Sequence, residues 1–245
     1  MLQREVAQGV HRIGEHFVNW YIVEESGRLT VVDAGLPASW RSFLDALGAI
    51  GRKPANVEAL VLTHAHFDHV GFAERARAEL GVPVWVHEND VPLTRRPWLY
   101  MSERSPLRYL DRHTLPIVAS FVRAGAQRVG PIREVRRFGD EGTLDVPGSP
   151  VVLFTPGHTL GHVALHLPDR DAVISGDALV THDPYTDLRG PRIVAQAATA
   201  DSERALASLD RLAETDAGTL LPGHGEPWTG GAESAAQEAR RAGVR

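Results

Sequence analysis

The chain of 245 residues has no cysteine. That excludes disulfides, thiolate metal ligands and a thiol nucleophile, and it leaves the redox compartment unmarked. Lysine is almost missing too: of 26 basic residues only Lys53 is not an arginine. Against 31 acidic residues these give a formal charge of −5, with no overall basic footprint for nucleic acid. No run of 18 apolar residues occurs, and the opening MLQREVAQGVHRIG has charges and turn residues where a secretory signal needs an apolar core. A cytoplasmic protein is expected, working neither in a membrane nor on nucleic acid. The length and the 43% hydrophobic content suit one large domain over residues 1–245.

What the chain does have is histidine, and its placement is not scattered. Thr63-His64-Ala65-His66-Phe67-Asp68-His69 follows the apolar run Ala59-Leu60-Val61-Leu62, which reads as a buried strand. Two histidines at i and i+2 followed by an Asp-His pair cannot share one helix face, but on a tight turn they can converge on a pair of ions. Imidazole and carboxylate suit zinc, iron or manganese. Downstream, three more apolar runs end in a Gly-bearing turn that presents His or Asp. Val151 to Phe154 leads into Thr155-Pro156-Gly157-His158-Thr159-Leu160-Gly161-His162, Ala172 to Ser175 into Gly176-Asp177, and Thr219 to Leu221 into Pro222-Gly223-His224-Gly225.

The rest of the chain frames these turns. Val10 to Ile13, Phe17 to Glu24 and Leu29 to Asp33 read as an opening antiparallel meander. Ser39 to Ile50 has helical spacing, with Ser39 as N-cap. Val70 to Leu80 reads as a helix stopped by Gly81, Val82 to Val86 as a strand, and Glu88 to Thr94 as a short helical stretch behind a structural His87. In the second half Val135 to Phe138, Thr143 to Val146, Val151 to Phe154, His162 to Leu167 and Ala172 to Ser175 read as strands that repeat the pattern of the first. The segment from Pro92 to Gly125 breaks the rhythm with Trp98, Tyr100, Tyr109 and Phe121 in helix-like spacing; it is either ordinary packing or a helical lid that walls a substrate pocket. Residues 181–192 read as a long polar loop offering Asp183, Tyr185, Arg189 and Arg192 as substrate contacts, and Asn19 is a further one. His113, His166 and His182 carry no site assignment. Residues 232–245 read as a polar helix or a frayed tail.

In their order and spacing the HxHxDH, GHTxGH, Asp and GHG elements resemble those of the metallo-β-lactamase superfamily over nearly the whole chain. The resemblance implies an α/β fold, a four-layer αβ/βα sandwich with a helical insert near residues 92–125. It implies that His64, His66 and His158 hold one ion, Asp68, His69 and His224 a second, and that Asp177 bridges them. Two zinc ions per chain are the expected cofactors, with iron or manganese as substitutes. Asp33, Thr63 and His162 would support the ligands from behind. Asp68 and Asp177 would be the catalytic carboxylates: a water between two cations loses its proton near neutral pH, and Asp68 is placed to orient it.

That ligand set implies hydrolysis of a small ester, thioester or lactone, without serine or cysteine. The alternatives are an iron-dependent redox relative of persulfide dioxygenase type, β-lactam amide hydrolysis, and a binding protein that keeps the metals for structure. The glyoxalase II and lactonase branches are the nearest in ligand pattern. Acyl-homoserine lactonases place a tyrosine three residues beyond the bridging aspartate, however; Val180 stands there, with Tyr185 the nearest substitute. Trp98, Tyr100, Tyr109, Tyr185, Arg189 and Asn19 are the expected substrate contacts, and the partner is a small molecule.

Overall fold

The computed structural model describes residues 1–110 and 112–245. The chain opens with β1 (Leu2–Ala7), β2 (Val10–Glu15), β3 (Val18–Glu25) and β4 (Arg28–Val32), which form an antiparallel meander. After α1 (Ser39–Ala49) the connections become crossovers, so β5 (Val57–Val61), α2 (Ala73–Leu80) and β6 (Val84–His87) continue the same sheet in parallel. The insert then contributes α3 (Val91–Arg95) and α4 (Leu115–Arg123) before β7 (Arg136–Phe138) closes a seven-stranded sheet in sequential order.

A second sheet follows from β8 (Val151–Phe154), β9 (Val163–Leu167) and β10 (Ala172–Gly176). A hairpin of β11 (Val180–His182) and β12 (Arg189–Arg192) leads to α5 (Ser202–Ala213), β13 (Thr219–Pro222) and α6 (Ala232–Ala242). The four strands lie in the order β13-β10-β9-β8, with β13 parallel to β10 and the rest antiparallel.

Strand alternation explains why both sheets stay buried. In β3, Trp20 and Ile22 point to one face and Tyr21 and Val23 to the other. The first pair packs with Leu60 against Phe43 and Leu47 of α1 and against Phe72. The second packs with Ala59 and Val61 against Val152, Val163, Leu165 and Ile174 of the facing sheet. On the far side Ala164, Val173 and Leu220 meet Leu209 and Leu212 of α5 and Ala235 and Ala239 of α6. The order of layers is therefore helix, sheet, sheet, helix. Because both sheet faces are covered, central strands such as VEALV and AVISG read as near-continuous apolar runs.

Several elements differ from expectation. Ser39 is the first residue of α1 and not its cap; Ala38 holds that place, and the Ser39 hydroxyl accepts the Leu36 N–H at 3.2 Å. The second helix begins at Ala73, three residues late, and ends at Gly81 as expected because Gly81 takes the left-handed conformation at φ +71°. Thr143 to Val146 is not a strand. A single bridge joins Thr143 to Val151, and the buried Leu144 and Val146 fill the space between the sheets before the turn at Pro147 and Gly148. Arg136 to Phe138 pairs with β6 and so extends the first sheet, which leaves the halves unequal. The expected polar loop at 181–192 is the β11–β12 hairpin. The C-terminal segment is a helix that buries an alanine stripe, Ala232, Ala235, Ala236 and Ala239, at helical spacing. Among the described residues no helix is long and apolar enough to cross a membrane.

Phe43 is fully buried, with ring centroids 5.4 Å from Trp40 and 5.2 Å from Phe72. Phe43→Ala should lower unfolding free energy by about 3–5 kcal/mol. Denaturant titration measures it, and a loss below about 1 kcal/mol would show that this helix–sheet layer contributes little.

Candidate metal centre

Each ligand-type side chain stands just past the C-terminal end of a strand, and all of these ends meet at one edge of the sandwich. β5 ends before Thr63 to His69, β8 before His158, β10 before Asp177 and β13 before His224. Two glycines let the turns approach. Gly176 has φ +49°, and a Cβ there would lie 2.7 Å from Thr63 Oγ1. At Gly223 a Cβ would lie 2.0 Å from Asp177 Oδ1, so any larger residue displaces that carboxylate.

The hydrogen bonds behind these side chains decide which ring nitrogens face the centre. Asp33 lies at the end of β4 with φ +62°, and both of its oxygens are occupied. Oδ1 accepts the Thr63 N–H at 2.8 Å, and Oδ2 accepts the Thr63 hydroxyl at 2.8 Å and His69 Nδ1–H at 3.0 Å. With its proton given to Asp33, Thr63 Oγ1 is an acceptor for His64 Nδ1–H at 3.1 Å. His224 Nδ1–H donates to the Phe17 carbonyl at 2.6 Å. In all three histidines Nδ1 carries the proton, and Nε2 is left as a lone-pair donor toward the centre. His162 works differently: its Nε2 accepts the Asp177 N–H at 2.9 Å and its Nδ1 meets Thr155 Oγ1 at 2.9 Å, so both nitrogens are engaged within the chain.

Three sets of side chains bring one ligand atom each within 4.8 Å of one another: His64, His66 and His158; Asp68, His69 and His224; and Asp33, His64 and His69. In the last set both Asp33 oxygens are already committed. The first two are joined by Asp177, whose Oδ2 lies 3.4 Å from His158 Nε2 and 3.1 Å from His224 Nε2, while Oδ1 lies 3.6 Å from His69 Nε2. Ligands bound at about 2.1 Å in a tetrahedral arrangement stand roughly 3.4 Å apart, so this spacing matches a shared ion.

The polar inventory also calls for cations. His64 Nε2, His66 Nε2, His69 Nε2, both nitrogens of His158 and Asp177 Oδ1 are buried without a hydrogen-bond partner, an arrangement that costs free energy unless something binds there. Burial holds His64 and His158 well below the usual imidazole range and His66 down to about 3, so each stays a neutral donor. Burial also opposes charge on His69, yet the carboxylates of Asp177, Asp68 and Asp33 outweigh it and hold its pKa up at about 10. A proton on His69 thus stands where a metal ion would neutralise the same carboxylates. The residues present fit a two-ion centre.

Of the expected substrate contacts, four gather beside the centre. The Tyr100 ring lies 4.3 Å from that of His66, and its hydroxyl is 3.1 Å from that of Tyr185. Trp98 stacks on Phe67 at 4.0 Å, and Tyr109 meets Tyr185 edge-on at 6.4 Å. Asn19 does not face the cleft. It accepts from Arg12 Nε at 3.0 Å and donates to the Pro222 and Gly225 carbonyls, which ties β3 to the His224 turn. Arg189 is exposed and lines a separate depression with Arg12, His182 and Glu226. Arg192 donates to the Gly190 carbonyl of its own hairpin, and Asp183 is buried, capping the hairpin turn through Tyr185 N–H and Thr186 Oγ1.

One residue of the site is missing from the sequence expectations. Asp90 is fully buried and accepts the Ala65 N–H at 3.0 Å, the Thr159 hydroxyl at 2.8 Å and the Gly161 N–H at 2.8 Å. It fastens the turn that carries His64 and His66 to the turn that carries His158. The only sequence signal is an acid just after a strand, which is usually a solvated turn residue.

The sequence profile described as the metallo-beta-lactamase superfamily matches residues 13–224. The chain belongs to the metallo-beta-lactamase superfamily. Its members are mostly metal-dependent hydrolases, and this member is one. It is 28% identical to the probable metallo-hydrolase YflN of Bacillus subtilis over 92% of this chain and 87% of that protein. It is 33% identical to the uncharacterized protein Rv2581c of Mycobacterium tuberculosis over 71% and 72%. Among solved structures, the superfamily protein TTHA1429 of Thermus thermophilus aligns with a TM-score of 0.71 at 26% identity, covering 96% of this chain and 79% of the other. TTHA1623, solved in a di-iron-bound form, aligns with a TM-score of 0.64 at 29% identity over 91% and 95%.

In this superfamily member, Asp90→Asn keeps the shape and removes acceptor capacity from three donors. Calorimetric titration of the metal-free variant with zinc should show affinity reduced by roughly 10 to 100-fold. An unchanged isotherm would show that the two turns hold their places without Asp90.

Proposed function

We propose that the chain is a dinuclear metal-dependent hydrolase of small, partly apolar acyl compounds: esters, thioesters or lactones. In this reading His64, His66 and His158 would hold one ion and Asp68, His69 and His224 the other, with Asp177 standing between the two sets. Two divalent ions in these places supply Lewis acidity, which acidifies a water molecule and polarises a carbonyl oxygen.

The chain's own residues do the rest. Asp68 is 3.5 Å from His224 Nε2 and slightly open to solvent, so its carboxylate can orient a water and accept its proton. Burial raises the Asp68 pKa, which moves it toward the range where a carboxylate both takes and returns a proton. Asp33 and Thr63 fix the tautomers of His69 and His64, while His162 holds the Asp177 backbone.

The observation that carries the acyl reading is the apolar wall beside the centre. A cavity of about 280 Å³ is lined by Phe67, Trp98, Tyr109, Ile117 and Phe121 with Tyr100 and Tyr185, and among the described residues no charged one lines it. Such a wall suits an uncharged hydrocarbon group better than a phosphodiester, a peptide or a nucleic acid. The substrate is then a small molecule. Zinc is the expected metal; the di-iron form of TTHA1623 supports iron as the second reading.

Protein produced without added metal should contain two transition-metal ions per chain by plasma emission analysis. Asp177→Asn should lower both the occupancy and the turnover; a fully active one-ion protein would sink the dinuclear assignment. A panel of lactones, thioesters, esters, β-lactams and phosphodiesters should show the highest kcat/KM among the acyl compounds. Faster turnover of phosphodiesters would reject the reading. Trp98→Ala should raise KM for apolar esters about tenfold or less with metal content unchanged.

A further inference from the structure

Beside the centre there are two apolar cavities rather than one. The first, of about 280 Å³, lies on the Phe67 and Trp98 side. The second, of about 230 Å³, is lined by Leu93, Leu99, Met101 and Leu160 and reaches His66 and His158 themselves. Tyr100 is the one described residue that lines both. Neighbours in sequence fall on opposite sides of it: Phe67 and Trp98 face the first cavity, His66 and Leu99 the second. Its ring is fixed by contact with His66 at 4.3 Å and by the hydroxyl pair with Tyr185 at 3.1 Å. The phenol ring is therefore a wall between two chambers, the second of which opens on the metal-ligand histidines.

The size and lining of the chambers constrain what enters. Each is below the roughly 300 Å³ at which small-molecule pockets begin, while together they exceed it. A substrate with two hydrocarbon arms has room to place one in each chamber. Among the described residues neither is lined by lysine or arginine, and the single carboxylate in the second, Asp90, is spent on Ala65, Thr159 and Gly161. An anionic arm finds no cationic side chain among the described residues of either lining, and uncharged, apolar arms suit both.

We infer that the substrate is an open-chain ester or thioester with an apolar group on each side of its scissile bond, and that Tyr100 assigns the acyl arm and the alcohol or thiol arm to separate chambers. This rests on the acyl-hydrolase reading above and narrows it: a compact lactone, with both sides of the bond in one ring, uses one chamber and leaves the other empty. Hydrolysis breaks the acyl carbon–oxygen or carbon–sulfur bond; water supplies the hydroxyl of the acid and the proton of the released alcohol or thiol. Each product then leaves from its own chamber.

Secondary amides, which copy the ester skeleton with distinct acyl and N-alkyl arms and a poor leaving group, test the binding half of the inference on the zinc-loaded protein by calorimetry. Lengthening either arm from methyl to butyl should tighten binding, by up to about fourfold per methylene, and the two effects should multiply. Tyr100→Phe keeps the wall and should preserve this pattern, whereas Tyr100→Ala should make the two arms interchangeable. If the alanine variant does not fold, Leu160→Trp serves instead. It fills only the second chamber from an exposed position and should abolish the gain for one arm alone. Sensitivity to only one arm, or equal loss on both arms in Leu160→Trp, overturns the two-chamber assignment. Unsymmetrical esters supply the second readout. KM should fall with length on both sides, while amide binding as expected with no ester or thioester turnover overturns the acyl-hydrolase reading, and this substrate class with it.

Discussion

Asp33 is the interaction on which the rest of the site depends. Its backbone turns through a left-handed conformation at the end of β4, and its carboxylate accepts three hydrogen bonds from the turn after β5. That one group sets the Thr63 backbone, the tautomer of His69 and the direction of the Thr63 hydroxyl, and through that hydroxyl the tautomer of His64. A left-handed aspartate is a strained residue that the surrounding structure must hold in place. Here the parallel pairing of β4 with β5 does so, together with the Asp33 N–H bond to the Val61 carbonyl at 2.9 Å.

The same logic recurs at each ligand. Asp90 supports the His64/His66 turn against the His158 turn, His162 supports Asp177, and Phe17 supports His224. The supporting groups are buried and their hydrogen-bonding atoms face one another, while unpartnered atoms of His64, His66, His69, His158 and Asp177 gather at the centre. Preorganisation of this kind leaves the lone pairs aimed before any ligand arrives, so little conformational entropy remains to be lost on binding.

How much of this could be read from the sequence followed the physics of each part. The metal turns were legible because only a few residue types can serve as hard or borderline ligands, and because a strand end concentrates them into short strings. Strands covered on both faces were legible as apolar runs. β1 was not: its residues show no apolar alternation, and Glu5 interrupts it with φ +53°. Asp90 was illegible because its donors lie 25, 69 and 71 residues away and two of the three are backbone amides, which every residue has. Asn19 and Arg189 were misread for a related reason. A polar residue near a site in sequence says nothing about whether its bonds turn inward to the chain or outward to a ligand. The insert showed its aromatic mass in the sequence, but not that Tyr100 would stand between two cavities, because that depends on which way a proline-broken segment folds back.

The division of the ligand groups between the two sheets also orders the events of folding. His64, His66, Asp68 and His69 stand on a turn of the first sheet, whereas His158, Asp177 and His224 follow strands of the second. During synthesis the first sheet can assemble around its parallel crossovers while the second is still unmade. The last group to arrive is His224, behind β13, the edge strand of the second sheet, which pairs with β10. Until that strand is in place, the carboxylates of Asp68 and Asp177 lack one of their balancing partners. The full set of donors therefore exists only when the second sheet is complete, and a chain stalled on the ribosome before β13 cannot offer it.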